Sequence, residues 1–465
     1  MPVEAEERDA VVVGGGIAGL AAAWRLRHRD VLLLEAEDRL GGRLHSEPCG
    51  DHWLNYGAHL FPGPGSTVDG MLRGCGLTAE PVWGSMMGLA AGRRRLTRGR
   101  VETYPLRLPL RPRDRIAFAA AGVRVQRAVA RYRRVATPAP GEPPAAVRAR
   151  ALAFEGDRSF GELLGDLPPA VERIFACAAH RATAELSELS GGCGLGLFAL
   201  VWGGKGSLIA RNVVGGGGVL PRALGDRLGV RARTGCRVTG VRPDGAQLVV
   251  EYMDGRQAAR VRARHLVMAA QAPFAAPLVA PVAAGAAAAL ERMTYGPFLV
   301  VAVRTTETTV TPWDRVYAMA TPGRAFDMFI NQAHVLHGRG GRRSGGRRSG
   351  GSLMLFAGGH GAAALSREPD AVIADRFLAD LHDLYPQTRG LVGDARVCRW
   401  PLGNVYAHPG RHRLQAPLEG ALGAHGNLHL AGDYFAELGN MEAAARTGVA
   451  AAERIDADLR GAPHD

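Results

Sequence analysis

A β-branched run that stops on three glycines constrains this chain more than any other stretch. Asp9 and Ala10 lead into Val11-Val12-Val13, and Gly14-Gly15-Gly16-Ile17-Ala18-Gly19 follows at once, so G-x-G-x-x-G falls in an expected strand-to-helix turn. Glycine allows the tight turn at 14, a close approach of backbone to pyrophosphate at 16, and helix-on-sheet contact at 19. A helix over Leu20 to His28 aims its free N–H groups and positive dipole end at the phosphates. The next strand, Val31 to Leu34, ends at Glu35, about twenty residues past the glycines, where a carboxylate can accept both ribose hydroxyls. Together these parts predict a dinucleotide site. The plain alternative is a glycine-rich turn that binds nothing.

Beyond Glu35 the chain reads Glu37-Asp38-Arg39-Leu40-Gly41-Gly42-Arg43. Glu35 followed by Arg39, Gly41-Gly42 and Arg43 resembles the FAD fingerprint of the flavin amine oxidase superfamily, which also holds protoporphyrinogen oxidases and phytoene-type desaturases. Near the other end, Leu428-His429-Leu430-Ala431-Gly432-Asp433 and the run from Gly439-Asn440-Met441 to Gly448 are similar to the closing FAD motif of the same superfamily. The resemblance implies FAD as cofactor. It puts Gly14, Gly16, Gly19, Glu35, Arg39, Gly42 and Arg43 in the opening motif and Gly57 and Ala58 beside the isoalloxazine ring. It also sets Val238 against adenine, Gly432 and Asp433 at the ribityl or pyrophosphate region, and the helix start at Met441 on the flavin N1/O2 edge.

Two motifs separated by nearly the whole chain must meet around one cofactor, and that sets the topology. A chain of 465 residues exceeds the size at which one core usually stops growing. The expected fold is α/β, with a discontinuous Rossmann-like FAD-binding domain (1–85, 211–275 and 395–465) and an inserted α+β substrate domain (86–210 and 276–394) containing an antiparallel or mixed sheet. Strands are expected at 233–241, 247–252 and 259–268 in the first domain. In the second they are expected at 298–304, 315–320, 325–330 and 352–357. Helix 370–385 is followed by a strand at 394–400. Gly191-Gly192-Cys193-Gly194 reads as a breaker, Gly203 to Ser207 as a loop lacking P-loop spacing, and the polar stretch 337–351 as disordered.

Lys and Arg number 57 against 44 Asp and Glu, a formal net charge of +13. Part of the excess lies in a basic helical stretch, Ile116 to Arg134, open to three readings: a solvated face, an anionic membrane surface, or a protein partner. The arginines are not interleaved with aromatics and no zinc-finger or RNA-binding motif is present, so no nucleic-acid partner is expected. Six scattered cysteines without a C-x-x-C pair give neither a disulfide scaffold nor a metal-ligand cluster. Residues 1–9 are acidic and lack a signal peptide's apolar run, and no apolar stretch is long enough to span a bilayer. A cytoplasmic monomer or homodimer is expected, with at most peripheral membrane contact.

A bound flavin would take a hydride equivalent from the substrate, leaving C=C or C=N, and pass the electrons to oxygen or another acceptor. Amine oxidases of this superfamily usually carry a lysine on the strand matching Phe298-Leu299-Val300-Val301, and often a cysteine for covalent flavin near Leu438 to Met441. Neither stands here. These departures rank a desaturase or protoporphyrinogen-oxidase-like activity, or a specialised-metabolite tailoring enzyme, ahead of an amine or amino-acid oxidase. The substrate is expected to be a small molecule, hydrophobic or anionic. His59, Tyr295 and Tyr434 are the candidate catalytic groups, and Tyr56, Trp202, Met328, Asn331 and Trp400 complete the expected pocket.

Overall fold

The computed structural model describes residues 6–82, 88–202, 211–337, 350–424 and 426–461. The glycine loop at 203–207, the polar stretch 338–349 and the side chain of Trp202 lie outside the described residues. The first sheet has seven strands. Glu6–Val13 runs parallel to Val31–Leu34 on one side and to Gln257–Met268 on the other. Cys236–Asp244 and Gln247–Asp254 add an antiparallel flap, and Leu428–Leu430 joins the far half of Gln257–Met268 in parallel. A parallel strand buried on both faces reads as an unbroken apolar run, and Val11-Val12-Val13 and Val31 to Leu34 are both fully covered.

Helix Ile17–Arg25 and the last helix, Met441–Gly461, lie together on one face of this sheet, and their small residues bring them close. A Cβ on Gly448 would overlap the Ala18 carbonyl oxygen. Helices Ala272–Val279, Ala284–Glu291 and Gln415–Ala424 cover the other face. The result is a three-layer sandwich assembled from the start, middle and end of the chain.

A second seven-stranded sheet follows the order Val392–Tyr406, Thr294–Thr305, Gly351–Gly358, Met328–Asn331, Ala318–Ala320, Gly88–Ala91, Arg94–Leu96. It is antiparallel except where Ala318–Ala320 meets Gly88–Ala91, and so is mixed. Alternate residues sort to two faces. Leu299, Val301, Leu353 and Leu355 pack under helix Asp370–Leu384, while Val300, Met328, Met354 and Phe356 face the opposite side with Leu60 and Trp400. Strand Val392–Tyr406 lies wholly in this sheet, beyond the boundary expected at residue 395; it pairs along Thr294–Thr305, and the chain rejoins the first sheet only at Leu428.

A helical layer completes this half: Pro112–Ala136, Pro144–Ala153, Phe160–Leu164, Pro169–Ala179 and Gly191–Trp202. The glycines at 191–194 do not break the chain but begin its most apolar helix. A Cβ at Gly192 would overlap the Phe154 carbonyl oxygen and one at Gly194 the Phe160 ring, so tertiary crowding selects glycine inside a helix despite its poor propensity. Among the described residues no helix is long and apolar enough to cross a membrane.

Candidate active site

The opening motif forms a cradle. Gly14 takes φ +102°, its N–H donates to the Leu34 carbonyl (2.8 Å), and a Cβ on Gly19 would overlap its carbonyl oxygen. Glu35 accepts N–H bonds from Gly15 (2.5 Å) and Glu37 (2.8 Å). Beyond the missing Cβ of Gly16 nothing lies within 4 Å, which leaves the room a pyrophosphate needs beside a helix N-terminus. The second turn lies directly on the first: Gly41 N–H donates to the Gly15 carbonyl (2.8 Å), and Gly41 and Gly42 both have positive φ. Arg39 donates to the Gly42 carbonyl (2.9 Å) and sets its guanidinium 5.8 Å from the Trp400 ring. Val238, half-buried, follows Cys236, whose N–H donates to the Glu35 carbonyl (2.7 Å).

The two ends of the chain meet here. Arg43 pairs with Asp433 at 2.9 Å, while the Arg43 carbonyl accepts the Ala58 N–H (3.0 Å) and leaves no space for a side chain at Gly57. Gly432 N–H donates to the Thr447 hydroxyl (2.9 Å). Asn440 caps the last helix through the Ala443 N–H (2.8 Å), and Met441 opens it, buried. Glu442 reaches back to the N–H groups of Thr67 (2.9 Å) and Val68 (3.1 Å), tying that helix to helix Thr67–Gly74. One FAD fits such a cradle: the glycines open it, the motifs adjoin, and the positive end of the last helix is presented to it.

His59 follows Gly57-Ala58. Its Nδ1 lies 3.0 Å from the Gly57 carbonyl, which can only accept, so Nδ1 carries the proton and Nε2 of the neutral ring is a bare acceptor. Nε2 is buried and has no hydrogen-bond partner. Burial, against the Gly57 bond and aided by the nearby Arg181 charge, pushes the His59 pKa down to about 4, so the ring is neutral near pH 7. The two tyrosines are engaged: the Tyr295 hydroxyl accepts the Ala272 N–H (3.2 Å) and the Tyr434 hydroxyl donates to the Ala431 carbonyl (3.3 Å), inside the core. Tyr56 stacks on His45 at 5.0 Å, Trp400 donates to the Tyr56 carbonyl (2.7 Å), and Asn331 is buried facing the Trp313 carbonyl.

A cavity of about 290 Å³ lies between the second sheet and the helical layer. Phe118, Phe175, Phe198, Leu197 and Met328 line it, with Arg181 on the wall. Its inner residues Ala320 and Met328 share an apolar cluster with Leu60, Val300 and Tyr317, and Tyr317 lies 6.2 Å from the His59 ring. Val123, on its lining, is exposed, as are Leu106, Ile116, Arg124 and Arg127 close by in the chain.

A family model for flavin containing amine oxidoreductase matches residues 17–456. The chain belongs to that family. It is an FAD-dependent oxidoreductase that carries out two-electron oxidation. The fold is similar along its whole length to cyclohexylamine oxidase from Brevibacterium oxydans IH-35A (TM-score 0.74, 18% identity, 98% of this chain and 100% of that one). It is also similar to putrescine oxidase bound to putrescine (0.73, 19%, 97% and 99%) and to a protein from Exiguobacterium sp. 255-15 described as a protoporphyrinogen oxidase (0.70, 16%, 98% and 100%).

Sequence likeness to curated relatives is local. It reaches 48% over 58 residues with human peroxisomal N(1)-acetyl-spermine/spermidine oxidase, 12% of this chain and 11% of that one. It reaches 44% over 59 residues with coproporphyrinogen III oxidase of Mycobacterium bovis, 12% and 13%. The matched stretches thus span only about an eighth of the relatives' length.

Family membership leaves several groups that the sequence did not single out. Asn55 holds the turn after the cradle, accepting the Gly217 N–H (3.0 Å) and donating to the Gly57 carbonyl (2.8 Å). Among the described residues His265, His429 and Asp458 gather beneath the last helix, with one ligand atom from each within 4.8 Å of the others. This is a cluster that no sequence spacing announces, and it is not part of the cradle. Glu437 is set inward, accepts from the Tyr132 hydroxyl, and leaves its other oxygen without a partner.

Burial pushes the Glu437 pKa up to about 8, against an ordinary value of about 4.3. Between those values the folded state holds one proton more than the unfolded chain, so this carboxyl's contribution is full in acid and is lost as pH climbs towards about 8. Glu437→Gln is therefore expected to be more stable than the native protein at about pH 9, by up to about 5 kcal/mol, with the gap shrinking to about 1 kcal/mol by about pH 5. Thermal unfolding across that range measures it, and a constant gap would refute the assignment.

Proposed function

We propose that this protein is an amine oxidase. It removes two electrons from a C–H bond next to an amine nitrogen, and water opens the resulting imine to a carbonyl compound and ammonia while oxygen becomes hydrogen peroxide. The cavity carries this reading. At about 290 Å³ it stands at the small end of the range for small-molecule pockets, ~300–1,000 Å³. One ring with a short chain fits within it. The missing lysine ranks a desaturase or porphyrinogen oxidase first on sequence; local likeness to amine and polyamine oxidases and full-length likeness to a cyclohexylamine oxidase favour the amine oxidase instead.

FAD, when bound, supplies the electron sink and passes the electrons to oxygen. The chain's own groups hold and orient. Gly57-Ala58 let the backbone approach the ring, and the aromatic wall excludes water. We assign His59, its ring neutral and its Nδ1 bonded to the Gly57 carbonyl, to bracing the Gly57-Ala58 turn on the ring side of the cradle. Tyr295 and Tyr434, with hydroxyls already engaged, back the Arg43–Asp433 pair, both of them near Asp433 in the field they feel. Exposed Leu106, Ile116 and Val123 with Arg124 and Arg127 suit contact with an anionic membrane surface as well as with solvent.

Anaerobic mixing with a panel of monoamines, polyamines, porphyrinogens and polyenes tests the reading. Monoamines carrying one ring are expected to bleach the flavin absorbance, and in air to release peroxide and ammonia in equal amounts. Bleaching by porphyrinogens or polyenes alone would overturn it.

A further inference from the structure

Strands Gln257–Met268 and Leu428–Leu430 run parallel with Val267 beside His429, so His265 and His429 fall on one face of the first sheet, diagonally across from each other. Val267, on that same face, shares an apolar cluster with Ile455 and Leu459 of the last helix. Asp458 reaches the place from the exposed side of that helix, and one ligand atom from each of the three lies within 4.8 Å of the others. Asp458 stands ~25 Å along the helix from its start at Met441, far from the cradle.

Both rings are withdrawn from water, with 2% of His429 and 9% of His265 exposed. Buried polar atoms are as a rule satisfied, yet Nδ1 of His429 is buried with no hydrogen-bond partner. The ring is therefore held at Nε2 or nowhere, and Nε2 lies 3.5 Å from Nδ1 of His265, at the long limit of a hydrogen bond. The charges facing the cluster come from Arg454, one turn before Asp458, and from Arg264 and Asp9. Arg264 is taken up by Asp9 at 3.6 Å, and Arg454 is exposed and free to turn to water. Asp458 has no ion-pair partner among the described residues.

We propose that His265, His429 and Asp458 hold one divalent transition-metal ion of the zinc class, which clamps the far end of the last helix onto the sheet. Zinc takes imidazole nitrogens at ~2.0–2.1 Å in a tetrahedron, an arrangement that sets two of them ~3.3–3.4 Å apart. The two rings already face each other at 3.5 Å. Asp458, on an exposed helix surface, closes the third corner by rotating its side chain, and water takes the fourth. Two imidazoles and a carboxylate select such an ion over magnesium or calcium, which take oxygen ligands. The clamp joins segments that also build the cradle, since the strand of His429 leads into Gly432-Asp433 and the helix of Asp458 starts at Met441. It is independent of which substrate is oxidised, so its failure leaves the amine-oxidase reading untouched.

The test uses the FAD-loaded full chain, stripped of metal with EDTA, and Zn²⁺ alone as the probe, in competition with a chelating dye that absorbs beyond the flavin bands. The native protein is expected to take up one tight Zn²⁺ per chain. In Zn²⁺ at ~100 times the dissociation constant it should unfold about 3 °C higher. Mg²⁺ should do neither. Asp458→Ala, an exposed change, should weaken Zn²⁺ binding by at least ~30-fold, since even a group that only supports a ligand is worth ~10–100-fold, and should abolish the rise in unfolding temperature. His265→Gln should lose both as well.

No uptake by the native protein at micromolar Zn²⁺, or equal uptake of Mg²⁺, overturns the site. Uptake that both variants keep overturns it too, because zinc is then held elsewhere, as by the free cysteines. Loss in His265→Gln alone is equally fatal, since the helix would not be joined to the sheet through the ion. Should His265→Gln fail to retain flavin, Asp458→Ala decides by itself, through its Zn²⁺ affinity and the metal-dependent rise in unfolding temperature.

Discussion

Arg43→Met is expected to lose FAD affinity by ~100-fold or more and to unfold at a markedly lower temperature. Arg43 and Asp433 come from opposite ends of the chain and meet at 2.9 Å, with only 8% of the Asp433 side chain exposed. Breaking a buried pair by removing one partner leaves the other charge uncompensated, at a cost of ~3–5 kcal/mol. Since each 1.4 kcal/mol is tenfold in an equilibrium constant, ~3 kcal/mol expressed in cofactor binding is about a hundredfold. The double variant Arg43→Met with Asp433→Leu should recover part of the stability, because neither charge then remains buried alone. Flavin retained after desalting, together with thermal unfolding, gives the readout. A single variant that keeps its flavin and its unfolding temperature would mean that the two motifs are not joined through this contact.

The second large effect is expected at Gly448. A glycine inside a helix costs roughly 1 kcal/mol against alanine, yet the last helix carries one where a Cβ would meet the Ala18 carbonyl oxygen and crowd the Ala22 nitrogen. These are backbone atoms and cannot swing aside. Gly448→Val should push the first and last helices apart, destabilising by about 3 kcal/mol or more and yielding protein poor in flavin, because the helix start at Met441 moves with the helix. Gly70 is the control: it also lies in a helix, but nothing stands within 4 Å of its missing side chain. Gly70→Ala should hold or raise stability by ~0.5–1 kcal/mol. Calorimetric unfolding of the two variants side by side checks the contrast; equal behaviour would show that propensity, not close approach, sets the role of Gly448.

Local spacing made the cradle legible. A tight turn, a helix start and a carboxylate at the end of the next strand are all fixed within about thirty residues by φ, by hydrogen-bonding capacity and by the lack of a Cβ. For the same reason strand Val31–Leu34 falls where its residues place it. Reading failed where a neighbour distant in sequence decides the outcome. Gly191 to Gly194 carry the local signature of a break, and only the Phe154 backbone and the Phe160 ring turn it into a helix start. Strand Val392–Tyr406 continues past the expected end because Thr294–Thr305 offers it a partner along nearly its full length.

The site divides along the same line. Cofactor and family were present in the order of residues, because a nucleotide cradle is a local object and each of its parts announces itself by spacing. How much room the aromatic wall leaves, and that Arg43 finds Asp433, are outcomes of folding. Charge pairing and cavity volume are properties of groups brought together across hundreds of residues, and no periodicity along the chain records them.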